Sequence, residues 1–208
     1  MYGLHEDELR ILKKLSTPIK IQDYLDTLPI NYEKKGETCM SPREVLKAQK
    51  AHCLEGALLA ATALRLQGNR PLLLNFKTTR GDQDHAIALY RINGYWGAIS
   101  KANHPILRFR DPIFKTPREL ALSFFHEYFL SETGKKSLIG YSKPFDLRPY
   151  GTEWITSSKN LWQIADALAA SEHLPFVPPE NAHAIRNASE FERNSVEQVE
   201  WPRSHPGV

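Results

Sequence analysis

A chain of 208 residues, 41% hydrophobic and 25% charged, has room for one domain with a sizeable core. Its net charge of +3 is small and dispersed, which argues against a nucleic-acid footprint. No apolar run approaches the roughly 18 residues of a membrane span, and the stretch from Met1 to Ser16 is charged and helix-patterned where a secretory leader is apolar. A cytoplasmic protein without membrane contact is expected.

From Glu6 to Leu15, Leu9, Ile11, Leu12 and Leu15 follow the spacing of a short amphipathic helix. Thr17-Pro18 supplies a cap and a first-turn proline for a second helix, which reaches about Leu28 and stops at Pro29. Residues 31–38 read as a polar loop. Ser41-Pro42-Arg43-Glu44 has the pattern of a capping box with proline at the first helical position. A polar gap over 47–52 favours a break before the apolar run that begins at Cys53. From Leu54 to Leu66 nearly every face is apolar, the mark of a buried central helix, and Gly68 closes it.

Residues 71–76 then read as a strand, 78–84 as a polar loop and 85–92 as a strand. Asn93-Gly94 is the preferred two-residue hairpin turn, and residues 95–100 form the return strand. Thr116-Pro117-Arg118-Glu119 repeats the capping pattern and opens a helix expected to continue through Phe129 to a stop at Gly134. Its aromatic residues, Phe124, Phe125, Tyr128 and Phe129, read as core packing. Residues 141–150 suggest a loop or edge strand. A last helix over 158–170 would turn Leu161, Trp162, Ile164, Ala165 and Leu168 inward. Beyond Pro175 the chain becomes polar.

The chemistry-bearing pair is Cys53, at the head of the central helix, and His85, at the head of a following strand. Unpaired N–H groups at a helix start favour thiolate over thiol, and a neighbouring imidazole can take up and return the proton. Cys39 and Cys53, a lone pair of cysteines with no leader, are expected to stay reduced. His52, His104 and His126 show no metal-ligand spacing. Glu55 reads as a first-turn carboxylate, and Lys101 as a solvated side chain.

From Cys53 through Leu64-Arg65-Leu66-Gln67-Gly68, Pro71 and its strand, His85-Ala86, Asn93-Gly94 and Trp96, the chain resembles the transglutaminase-like superfamily of papain-like thiol enzymes. The resemblance covers about Ser41 to Arg110. It implies a Cys on a central helix, a His on the next sheet and, on the strand after, usually an Asp. It extends to peptidases, amidases, transglutaminases and inactive binding modules alike.

Hairpin geometry bears on the third member. With a two-residue turn at Asn93-Gly94, Ile92 faces Tyr95, and by extension His85 lies opposite Ala102. Ser100 then shares a face with His85. Its hydroxyl can orient the imidazole without stabilising imidazolium as a carboxylate would. Asn103 and Asp111 are the other candidates for that partner, with Ser100 ranked above Asn103. For the oxyanion or substrate, the Cys53 N–H and the side chains of Gln49 and Asn103 are candidates; the resemblance implies a Gln upstream of the Cys, at a longer spacing than Gln49 has.

The expected fold is α+β of the papain-like/transglutaminase-like kind, a central Cys-bearing helix packed on an antiparallel sheet with flanking helices. One domain spans residues 1–175, with helices over 6–28, a core over 41–110 and C-terminal helices over 116–170. A weakly ordered polar tail over 176–208 is expected to follow. The expected function is thiol-dependent acyl chemistry on an amide or peptide-like substrate, protein included, with hydrolysis favoured over transamidation. The alternative is a catalytically silent module that binds a peptide or protein in the same groove, for which the Ser at position 100 is the argument. No cofactor is implied, and no acidic loop has calcium-ligand spacing.

Overall fold

Polar caps and prolines fix where the helices begin in the computed structural model, which describes residues 1–194 and 198–203. The first helix, α1 (Glu6–Lys14), has three acidic residues in its first turn and two lysines in its last, matching the helix dipole. Thr17 and Ser41 each offer a hydroxyl oxygen to the N–H three residues on, at 3.2 and 3.3 Å, starting α2 (Pro18–Thr27) and α3 (Pro42–Ala48). At Gln49 the backbone turns left-handed (φ 51°) and ends α3. The break allows α4 (Cys53–Leu66) to start afresh on His52. Ten of the fourteen residues of α4 are buried, as its all-apolar faces require.

Next come β1 (Leu72–Thr78), β2 (His85–Ile92) and β3 (Tyr95–Ile99). Asn93 and Gly94 both have positive φ, 50° and 87°, as a twisted two-residue hairpin demands. The register pairs Ile92 with Tyr95 and Ala88 with Ile99, as the turn chemistry predicts. Then follow β4 (Arg110–Phe114), α5 (Pro117–Leu122), β5 (Leu138–Ser142), β6 (Phe145–Asp146), α6 (Trp162–Ala169), β7 (His173–Pro175) and α7 (Glu190–Asn194). Among the described residues the strands form one sheet of order β4-β3-β2-β1-β5-β7, with β6 also on β1, and the pairings are antiparallel. The chain is thus α+β.

Alternation along the strands builds two cores. Leu73, Ala86, Ala88, Tyr90 and Ile99 face α4 and the N-terminal helices, whereas Leu74, Phe76, Ile87, Leu89 and Ala98 face α5 and a cluster of aromatic rings. No helix among the described residues is long and apolar enough to cross a membrane.

Several expectations need correction. The helix opened by Thr116 stops at Leu122 and does not run on to Phe129. The Arg110 guanidinium donates to the Ser123 hydroxyl and carbonyl, at 3.0 and 3.3 Å, and lies 3.9 Å from the centre of the Phe124 ring. Arg110 therefore takes a carbonyl that the next helical turn would have used. Of residues 141–150, Tyr141 and Ser142 end an interior strand between β1 and β7, while Phe145–Asp146 pair with β1 as a short strand off that path; Trp162 is 42% exposed. In both S/T-P-R-E patterns the hydroxyl caps as expected, but Glu119 accepts from Lys115 N–H outside the box. Beyond Pro175, where composition reads as a polar tail, Phe176 is buried in the aromatic core and Ala188 N–H donates to Gly134 C=O at 2.7 Å.

Candidate active site

Cys53 is the first residue of α4 and His85 the first residue of β2, so both side chains belong to the same end of the helix–sheet layer. The side chains of His85 and His52 both act on the Cys53 thiol and favour its ionised form. His85 Nε2 lies 2.7 Å from Ser100 Oγ, which leaves Nδ1 to serve the sulfur. Ser100 is fully buried. It shares the His85 face, as the hairpin register requires, and the Phe76 ring stacks parallel to the imidazole at 6.4 Å. The imidazole is thus held at its edge by a hydroxyl and on its face by an aromatic ring.

The backbone of Ser100 is held as firmly as its side chain. Ser100 N–H donates to Gln22 Oε1 at 3.0 Å, and Gln22 Nε2 donates to Ser100 C=O at 2.9 Å. The strand end that carries the imidazole's partner is therefore tied to α2.

His52 and Glu55 form the usual reciprocal cap, with a His in the Ser position. Leu54 N–H donates to His52 Nδ1 at 3.2 Å, and His52 N–H donates to Glu55 Oε2 at 2.9 Å. Glu55 is fully buried and collects further donors from the preceding loop: Thr38 Oγ1 at 2.8 Å, Met40 N–H at 2.9 Å and Asn31 Nδ2 at 3.2 Å. This carboxylate pins the loop over 31–40 to the start of α4. A first-turn carboxylate was expected; a buried hub is what the fold makes of it.

Burial works to raise the Cys53 thiol, but hydrogen bonds to His52 and His85, and the positive charge each can carry, outweigh it and hold the thiol well below its ordinary value. Burial likewise works to lower His52, yet the bond to Cys53, the thiolate charge, Glu55 and the Thr38 carbonyl raise it to about 9. Nδ1 faces Leu54 N–H at 3.2 Å, while Nε2 lies 3.0 Å from the Thr38 carbonyl and 3.4 Å from Glu55 Oε1.

Cys39 lies in the opposite regime, because burial, then the charge of Glu55, push its thiol up to about 12. Both cysteines are free. The Tyr128 ring sits 6.5 Å from that of His85, and burial, then the charge of Cys53, hold its hydroxyl well above the ordinary value, in the protonated donor form. Tyr128 lines a cleft of about 800 Å³ together with Asp82, His104, Glu127 and Arg193.

The chain matches no family model and no curated protein. What it can do is therefore read from its own side chains. Of the residues singled out in the sequence, Cys53, His85 and Ser100 come together. Gln49 does not join them: it is exposed, and its amide donates to the Tyr24 hydroxyl at 3.2 Å and to the carbonyl of Leu46. Asn103 gives its amide to Tyr32 and Trp201 instead of His85, and Asp111 is exposed on β4. Lys101, expected in solvent, is 1% exposed, and its Nζ donates to Leu28 C=O. It packs over Gly56, where a Cβ would overlap the lysine's own.

Gln22, Tyr128 and the capping role of His52 were not expected from the sequence. His52-x-x-Glu55 carries a legible signal, since the carboxylate falls at the capping-box spacing. Gln22 lies on the buried stripe of α2 beside Ile21 and Leu25, a weaker signal. For Tyr128 nothing local distinguishes it from its aromatic neighbours. Among the described residues no group of three or more His, Cys, Asp or Glu side chains has a metal-binding arrangement.

Proposed function

We propose that this protein performs thiol-dependent acyl chemistry, hydrolysing an amide or peptide bond, on a helix-and-sheet scaffold of the papain-like/transglutaminase-like kind. The observation that carries the proposal is the His85 imidazole, held by Ser100 at 2.7 Å at the end of the helix–sheet layer where α4 begins with Cys53. Cys53 thiolate attacks the carbonyl carbon, forming a C–S bond as the C=O electron pair moves to oxygen. The Cys53 N–H at the helix start is the donor offered to that oxygen. On collapse the C–N bond breaks, and His85 gives its Nδ1 proton to the departing amine. Water then adds to the thioester while His85 takes up its proton, and the C–S bond breaks to restore the thiolate.

Ser100 in place of a carboxylate favours a second reading, a module that binds a peptide or protein in this groove and turns nothing over. Acid-quench mass spectrometry separates the two. With 4-nitrophenyl esters of N-acylated dipeptides, the enzyme reading gives an acyl adduct on Cys53 that decays in water and is absent in Cys53→Ala and His85→Ala. No adduct at Cys53 from such activated donors would leave the binding reading standing.

A further inference from the structure

Near the site the chain meets its own C-terminal segment. Asn103 reads the main chain of one residue of that segment at two points: Trp201 N–H donates to Asn103 Oδ1 at 2.8 Å, and Asn103 Nδ2 donates to Trp201 C=O at 3.1 Å. Tyr32 hydroxyl donates to the same carbonyl at 2.7 Å, and Glu200 N–H donates to Asn103 C=O at 3.2 Å. Asn103 Nδ2 also donates to the Tyr32 hydroxyl at 2.7 Å, which locks the two receptor side chains together. The recognition is of main chain. Side chains add to it: the Trp201 ring lies 5.9 Å from Lys101 Nζ, Arg203 lies 5.3 Å from the Tyr32 ring, and Glu200 pairs with Arg108.

The two receptor residues of this clamp adjoin, along the chain, residues that support the reacting groups. Asn103 is three residues beyond Ser100, a reach of at most about 10 Å. Tyr32 follows Asn31, whose amide binds Glu55 in the first turn of α4. His104, next to Asn103, lines the cleft that holds Tyr128. The C-terminal segment meets the same cleft again through Glu190 and Arg193 of α7.

We propose that Asn103 and Tyr32 form a subsite for the main chain of an extended peptide, and that residues 200–203 occupy it in cis, in competition with a peptide substrate. The inference deepens the acyl-transfer reading and rests on it for the identity of the competitor. The segment acts as a strap whose release opens the peptide path to Cys53 without changing the thiol.

The test uses the full chain with Trp201→Ala, and Glu200→Ala as a second release variant, both checked for native circular dichroism. Modification of Cys53 is followed by intact mass with iodoacetamide and with the peptide-sized iodoacetyl-tetraalanine. Release is expected to raise the tetraalanine rate at least fivefold and to change the iodoacetamide rate less than twofold. Added Val-Glu-Trp-Pro-Arg peptide should restore protection, and a scrambled peptide should not.

Unchanged tetraalanine rates in both release variants, or no protection by the peptide, would overturn the strap. Protection in trans without any effect of release would equally overturn competition in cis. Failure of the acyl-transfer reading looks different: iodoacetamide then modifies Cys53 no faster than an unstructured thiol. In that case fluorescence anisotropy of the labelled peptide on Trp201→Ala, compared with Asn103→Ala/Trp201→Ala, still decides the clamp, which requires binding to the first and at least tenfold weaker binding to the second.

Discussion

Gln22 grips both backbone polar groups of Ser100, accepting its N–H at 3.0 Å and donating to its carbonyl at 2.9 Å across 78 residues of chain. A glutamine on the buried stripe of α2 thus fixes the strand end from which Ser100 reaches His85. Gln22→Leu keeps the volume and strands both backbone groups in a dry site. A loss of about 3 kcal/mol is expected in urea unfolding, with slower alkylation of Cys53 in the folded protein.

Ser100 supplies the only hydrogen bond described for His85 Nε2. Ser100→Ala should cost about 1 kcal/mol of stability and lower any acyl-transfer rate on the order of tenfold, as an imidazole that has lost its orienting partner does. Steady-state kinetics should show the loss in kcat more than in KM.

How much of this was legible follows the range of the interactions. The hairpin needs only Asn93-Gly94, and the face shared by His85 and Ser100 follows from counting residues away from it. The start of α4 was visible in its apolar run. Arg110 was not: it ends α5 by reaching Ser123 from another strand, and no local pattern encodes that. Lys101 was misplaced for the same reason, because only Gly56, on a different element, makes room for its stem. Gln49 matched a plausible role by proximity in sequence, yet the left-handed turn at that residue carries its side chain to the end of α3.

Glu55 accepts from donors on every side, including Thr38, Met40 and His52. Glu55→Gln replaces one acceptor oxygen with an NH2 facing those donors. We expect about 3 kcal/mol of destabilisation, together with faster amide hydrogen exchange across the loop over 31–40 than elsewhere.

Gly56→Ala puts a methyl group into the Lys101 stem. Overpacking of this kind costs about 1–3 kcal/mol. Since Lys101 adjoins Ser100, thermal unfolding should shift downward and Cys53 alkylation should slow together.

His52 is raised to about 9 against the effect of burial by its bond to Cys53, the thiolate charge and Glu55. Cys53→Ala removes two of these causes and leaves burial in place. The His52 titration followed by NMR should therefore move down from about 9; an unmoved midpoint would separate His52 from the thiol.

The central claim is that His52 and His85 hold Cys53 as thiolate, and the pH dependence of its modification by iodoacetamide tests it most directly. Intact mass resolves the labelling, and Cys39, buried with its thiol pushed up to about 12, serves as an internal unreactive control. A lowered thiol keeps more of its thiolate as pH falls, so the Cys53 rate should fall less steeply from pH 8.5 to pH 6.5 than that of an ordinary thiol, and His85→Ala should steepen the decline. A wild-type rate that falls about tenfold per pH unit below pH 8.5, as for an ordinary thiol, would contradict the account.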